Sequence, residues 1–76
     1  MSNRALSLSP EERVAQRERF EECLRTHWNG RPGRSDFLFG TVMVNGQFTR
    51  YLDADTDNAW IGFQFAEYLA RKAAMQ

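Results

Sequence analysis

The sequence predicts an α+β fold in the order helix, strand, strand, helix, with two helices packed on a two-stranded antiparallel sheet. Three observations predict it. Ser9-Pro10-Glu11-Glu12 opens a stretch of helical period, Asn45-Gly46 separates two β-rich runs, and the acidic corner Asp53–Asn58 leads into a second helical stretch.

Residues 1–8 have no consistent period and are expected to form a flexible N-terminal arm, with Leu6 and Leu8 able to dock on the domain formed by residues 9–76. The first helix is expected over 10–28. Ser9 can accept hydrogen bonds from backbone N–H groups that lack helical partners. Pro10 stands where a missing N–H costs nothing, and Glu12 completes a capping box. Val14, Phe20, Leu24 and Trp28 repeat at helical spacing, with Cys23 and His27 beside them, and the opposite face carries Glu11, Arg19 and Glu22. Arg17–Glu21 and Glu21–Arg25 stand four apart and support the helix weakly. Asn29-Gly30 ends it and Pro32 prevents its resumption.

Residues 29–36 form a Gly- and Pro-punctuated loop that exposes Arg31 and Arg34. It serves as a solvated connection or presents an arginine pair to a carboxylate or phosphate. Asn-Gly between residues 37–44 and 47–52 signals a type I′ hairpin, because that turn needs positive φ at both central residues. A regular two-residue turn would pair Val44 with Gln47, Met43 with Phe48, Thr41 with Arg50 and Phe39 with Leu52. Phe37, Phe39, Met43, Phe48 and Leu52 would then make the core face. Leu38, Gly40, Val42, Val44, Thr49 and Tyr51 would lie on the other.

Thr56 or Asp55 is expected to cap the second helix, with Asp57 and Asn58 in its first turn, where the helix dipole favours negative charge. From Ala59 to about Ala74 a stripe of Ala59, Phe63, Ala66 and Ala70, widened by Gly62 and Ala73, would approach the sheet closely, with Trp60 and Phe63 filling gaps. Ile61, Phe65, Tyr68 and Leu69 lie on another side, so the helix is apolar on more than one face. The first helix or another chain must cover that second face.

Seventy-six residues bury roughly 60% of the unfolded chain's surface, which leaves a small margin of stability. Cys23 is the only cysteine, which excludes an internal disulfide and fits a reducing cytoplasm, and there is no Cys/His spacing for zinc. No apolar run reaches the length of a membrane span and no signal-peptide core is present, so no membrane partner is expected. Ten basic and ten acidic residues balance, which argues against a DNA mimic and against non-specific nucleic-acid binding.

The corner Asp53-x-Asp55-x-Asp57 invites comparison with a calcium loop, but Asn58 replaces the sixth-position Gly and Gln64 the twelfth-position Glu. Helix capping is the expectation, and neither metal nor cofactor is expected. His27 stands one turn after Cys23, a spacing that permits a thiol–imidazole contact. Neighbours on a regular helix face seldom form a cleft, so no enzyme is expected. Strand aromatics interleaved with arginine, as in Phe48-Thr49-Arg50-Tyr51, are compatible with base stacking, but core packing accounts for them better.

The series Tyr51-x4-Thr56-x2-Ala59-Trp60-x-Gly62-Phe63-Gln64-x-Ala66 resembles a pattern frequent in small phage and prophage accessory proteins. Those read Gly-x-Tyr, an acidic spacer, Thr-x-x-Ala-Trp, then Gly-Trp-Gln-x-Ala, with Phe-Glu-x-Trp upstream. Here Phe20-Glu21-Glu22-Cys23 occupies the upstream place, so the likeness runs from residue 20 to residue 66. The chain departs from the pattern in Phe63 for the second Trp and Cys23 for the first. The pattern brings no activity with it. The resemblance implies a phage context, in which small proteins bind a host protein stoichiometrically: a defence system such as CRISPR, quorum sensing, transcription or pilus machinery.

The functional expectation is a non-enzymatic binding protein that modulates a host protein in the host cytoplasm, with a homodimer as a further use of its apolar surface. Its partner-binding residues would be Ile61, Phe65, Tyr68 and Leu69, with Arg31 and Arg34. The alternative is a nucleic-acid-binding regulator that uses the arginines of the first helix and the 29–36 loop.

Overall fold

The structure is a computed structural model that describes residues 7–75. Its element order is α1 (Pro10–His27), β1 (Thr41–Val44), β2 (Gln47–Tyr51) and α2 (Ala54–Ala74), an α+β fold in helix–strand–strand–helix order with one two-stranded antiparallel sheet. The arm expected over 1–8 lies, for residues 1–6, outside the described residues.

α1 begins as its capping box dictates. The Ser9 N–H donates to Glu12 Oε1 at 3.0 Å and the Glu12 N–H donates to Ser9 Oγ at 3.1 Å, with Pro10 in the first turn. Trp28 closes the helix, its N–H bonded to the Leu24 carbonyl. The buried side differs from the apolar stripe. Val14 is half exposed, whereas Gln16 is buried beside Phe20, with Leu24 partly covered. Gln16 tolerates burial because its Nε2 donates to Glu67 Oε1 on α2 at 3.0 Å. Of the two expected charge pairs, Glu21–Arg25 forms at 3.0 Å, while Arg17 lies over the Phe48 ring.

The hairpin turn has the required positive φ at Asn45 (53°) and Gly46 (75°). Next to it the expected register holds, Val44 with Gln47 and Met43 with Phe48. Val42 then pairs with Arg50 and Thr41 with Tyr51, so Thr49 is the extra residue of a β-bulge. This corrects the expected pairing of Thr41 with Arg50 and part of the expected core face, of which Phe39 and Phe48 do pack on the cluster. One inserted residue reverses the alternation beyond it, so Phe48 and Tyr51, three apart, turn to the same side. Tyr51 is fully buried, while Met43 and Leu52 are 50% and 66% exposed. β1 is also shorter than the apolar run, since residues 37–40 lie outside the ladder apart from the Leu52 N–H to Gly40 carbonyl bond at 2.8 Å.

α2 starts five residues before Ala59, and its cap is Asp53 rather than Thr56 or Asp55. Asp53 Oδ1 accepts from the Thr56 N–H at 2.9 Å and from the Thr56 hydroxyl at 3.1 Å, which lets Thr56 be fully buried. The acidic corner is thus the first turn of the helix, with Asp55 and Asp57 favourably placed on its dipole. The small-residue stripe packs only at its start, where Ala59 and Phe63 lie against the core cluster. Ala66 and Ala70 are exposed, and a methyl group at Gly62 would meet no heavy atom within 4 Å. The inward side of α2 is Thr56, Trp60, Phe63 and Glu67, which repeat at helical spacing but include two polar members.

The core is an aromatic cluster. Phe20 stands 5.5 Å from Tyr51, 5.2 Å from Trp60 and 5.5 Å from Phe63 between ring centroids, and Phe48 meets Tyr51 at 5.1 Å. Tilted and edge-on pairs of this kind add about 0.5–1.5 kcal/mol each beyond the area they bury. Arg17 over Phe48 (4.2 Å) and Arg25 over Phe39 (4.9 Å) close the cluster from the α1 side.

Candidate protein-binding surface

The sequence singled out one side of α2, and the structure leaves that side open. Ile61 is 57% exposed, Phe65 60% and Leu69 47%, while Tyr68 is half-buried. Phe65 and Tyr68 stack at 6.3 Å with their planes 20° apart. The cause is geometric. α1 meets α2 on the side of Trp60 and Glu67, so a side chain one position beyond Trp60 is turned away by about 100°.

A groove of ≈1110 Å³ runs from this surface between α2, the first two turns of α1 and the hairpin. Its floor includes Val14, Met43, Ile61 and Phe65. Four of its lining residues are arginines, Arg13, Arg17, Arg50 and Arg71, and one is an acid, Asp57. Asp57 is held by the Tyr51 N–H, which donates to its Oδ1 at 2.9 Å and ties the end of β2 to the start of α2. Arg71 lies 4.0 Å from Glu67. Arg50 donates to the Tyr51 carbonyl at 3.2 Å.

Arg31 and Arg34 are exposed but stand apart from the α2 surface and serve the loop. Arg31 Nε donates to the His27 carbonyl at 2.8 Å, where it also complements the negative end of α1. The Arg34 guanidinium lies 4.4 Å from the centre of the Trp28 ring. The loop between them is pinned. Asn29 Nδ2 donates to the Phe37 carbonyl, Asn29 Oδ1 accepts from the Phe37 N–H, Asp36 accepts from the Gly30 N–H, and Trp28 Nε1 donates to the Ser35 carbonyl. The six sequence-selected residues therefore form two separate places. The sequence offered Arg13 and Arg17 only as arginines of the first helix, in the nucleic-acid alternative, and gave no sign that Arg50 and Arg71 would join them in one groove.

Cys23 and His27 are both exposed and line a shallow hollow on the outer side of α1 with Glu18 and Glu22. Among the described residues no hydrogen bond links the two, no three His, Cys, Asp or Glu side chains gather as a metal-holding group, and no helix is long and apolar enough to cross a membrane.

One titratable group sits in the core. The Tyr51 hydroxyl donates to Glu21 Oε2 at 2.8 Å, and burial, followed by that bond to a carboxylate, pushes its pKa far above the usual phenol range. Glu67 is held below the ordinary carboxylate range, first by its hydrogen bonds from Arg19 and against the opposing effect of burial. Both groups fasten elements together: Tyr51 joins β2 to α1, and Glu67 joins α2 to α1.

In comparisons with known proteins, no family model, no curated protein and no solved structure matches the chain.

Proposed function

We propose that this chain is a small non-enzymatic binding protein of phage or prophage type that modulates a host protein by stoichiometric contact. The observation that carries the reading is the open apolar side of α2, where Ile61, Phe65 and Leu69 are each about half exposed or more in a chain with so little core. Apolar surface removed from water contributes about 25 cal/mol per Å², so an unspent row of this kind is a reservoir for association. The motif over residues 51–66 supports the phage context, and with it the host cytoplasm as the place of action. Pairing of two copies belongs to the same reading, because β1 has a neighbour on only one side and its free edge can take another strand.

Affinity capture of the tagged chain from host extract, with Phe65→Asp and Leu69→Asp variants alongside, tests the proposal. The expected result is a partner recovered at a fixed ratio with the wild-type chain and lost with both variants. Recovery of no fixed-ratio partner, or of one that both variants retain, overturns it.

A further inference from the structure

We propose that the groove between α1, the hairpin and α2 is the docking site of an acidic amphipathic helix of the partner protein, an inference that rests on the protein-binding reading above. Two independent features of the groove select this chemistry.

The first is its floor. Val14 and Met43 are 50% exposed there, beside Ile61 and Phe65, which are more open still. Four rings line the groove as well, but Trp60 is buried in the core and Phe48 lies beneath the Arg17 guanidinium, which leaves Phe65 and Tyr68, stacked on one another. A single-stranded nucleic acid would need flat rings at successive steps on which to stack, whereas aliphatic side chains interdigitate with Leu, Ile or Met on the apolar face of a helix. From Ile61 to Tyr68 the groove-lining side of α2 runs for roughly 10 Å, which is the span of two helical turns and of the i, i+4, i+7 anchors of a docked helix.

The second is charge. The chain as a whole is neutral, with ten acids and ten bases, yet the groove is lined by four arginines and one acid. Arg13, Arg17 and Arg50 form no ion pair with a carboxylate among the described residues. The carboxylates are concentrated elsewhere, with Glu18 and Glu22 on the far side of α1. A groove with so clear an excess of one sign on a neutral molecule attracts the opposite sign and repels its own copy. That disfavours a second copy of this chain, groove against groove. Residues 1–6 carry Arg4 and no acid, so they are mismatched in charge as well. A helix with an apolar face flanked by Asp and Glu matches both floor and rim.

Fluorescence anisotropy with the full chain tests this. The probe is a labelled synthetic helix-forming peptide with Leu along one face and Glu beside it. The counter-probes are the same peptide with every Glu replaced by Lys, and an oligothymidylate. The expected result is saturable binding of the acidic peptide, about tenfold weaker at ~500 mM than at ~50 mM salt, and no binding of the lysine peptide. Ile61→Asp and the double variant Arg13→Glu/Arg50→Glu should each weaken binding by at least about tenfold, with circular dichroism spectra unchanged.

The inference is overturned if the acidic peptide does not bind, if both peptides bind alike, or if oligothymidylate binds more tightly. It also fails if sedimentation finds a dimer that Ile61→Asp dissociates, or if Leu6→Ser raises peptide affinity about tenfold, which would assign the groove to the chain's own N-terminus. A captured host partner that is lost with Leu69→Asp but kept by Arg13→Glu/Arg50→Glu would leave the protein-binding reading standing and remove this one.

Discussion

Tyr51 is the residue on which the core turns. It is fully buried, touches Phe20, Phe39, Phe48 and Trp60 through its ring, and places its hydroxyl on Glu21. A hydrogen bond to a charged group contributes about 1.5–3 kcal/mol, and Glu21 retains Arg25 when the hydroxyl is gone. Tyr51→Phe should therefore cost about 1.5 kcal/mol in urea unfolding near neutral pH. The cost has a pH signature. The folded-state pKa of Tyr51 is raised, so the unfolded chain releases the proton first; the stabilisation is complete below about pH 10 and declines as pH rises beyond it. The gap between wild type and Tyr51→Phe should hold from neutrality to about pH 9.5 and shrink above pH 10. A gap that widened there would contradict the assignment. The position of Tyr51 was not legible from alternation, because the bulge at Thr49 that turns it inward leaves no compositional mark. Gln16, Thr56 and Glu67 escaped for a related reason. Each is polar, and each is covered because a specific partner answers it, which an apolar pattern does not register.

At the scale of elements, the local signals were read correctly where the chemistry is contained in a few consecutive residues. The capping box of α1 and the Asn45-Gly46 turn are complete in the sequence and complete in the fold. The start of α2 was misplaced because several acids in succession can each cap, and only the buried Thr56 hydroxyl selects Asp53. The two caps therefore differ in consequence. Ser9→Ala removes one exposed cap and should cost about 1 kcal/mol. Asp53→Ala also leaves the Thr56 hydroxyl buried without its acceptor and should cost about 2–3 kcal/mol, measured by thermal and urea unfolding. The helices are joined by Glu67, which accepts from Gln16 and from two nitrogens of Arg19. Its lowered pKa means that this link is present above the ordinary carboxylate range and is lost as pH falls through the folded value. Arg19 is half exposed, so solvent screening limits the electrostatic part to about 1 kcal/mol or less. Stability should fall below about pH 4.5 with a shallower slope in Glu67→Gln than in wild type. Equal slopes would remove Glu67 from the acid response.

The whole molecule is thin. Its principal extents are 46, 32 and 17 Å and its radius of gyration is 14.1 Å, against about 11 Å for a compact globule of this length. A slab of this shape has two broad faces and little interior, and among the described residues Phe20, Tyr51 and Trp60 are the buried hydrophobic ones that hold it. The interior and the open row of α2 therefore lie one residue apart, at Trp60 and Ile61, and the two positions separate folding from binding. Trp60→Ala removes a ring that meets Phe20, Phe48, Tyr51 and Phe63, and should cost about 3–5 kcal/mol. A domain this small has a total stability on the order of 4–8 kcal/mol, so the variant should be largely unfolded at 37 °C by circular dichroism. Ile61→Asp exchanges one exposed side chain for another and should change stability by no more than about 0.5 kcal/mol, yet abolish capture of the partner. Equal thermal midpoints for wild type and Ile61→Asp, together with a collapsed one for Trp60→Ala, would place the boundary between core and binding surface between these neighbours. A large loss of stability in Ile61→Asp would instead make Ile61 part of the core and close the α2 surface as a site.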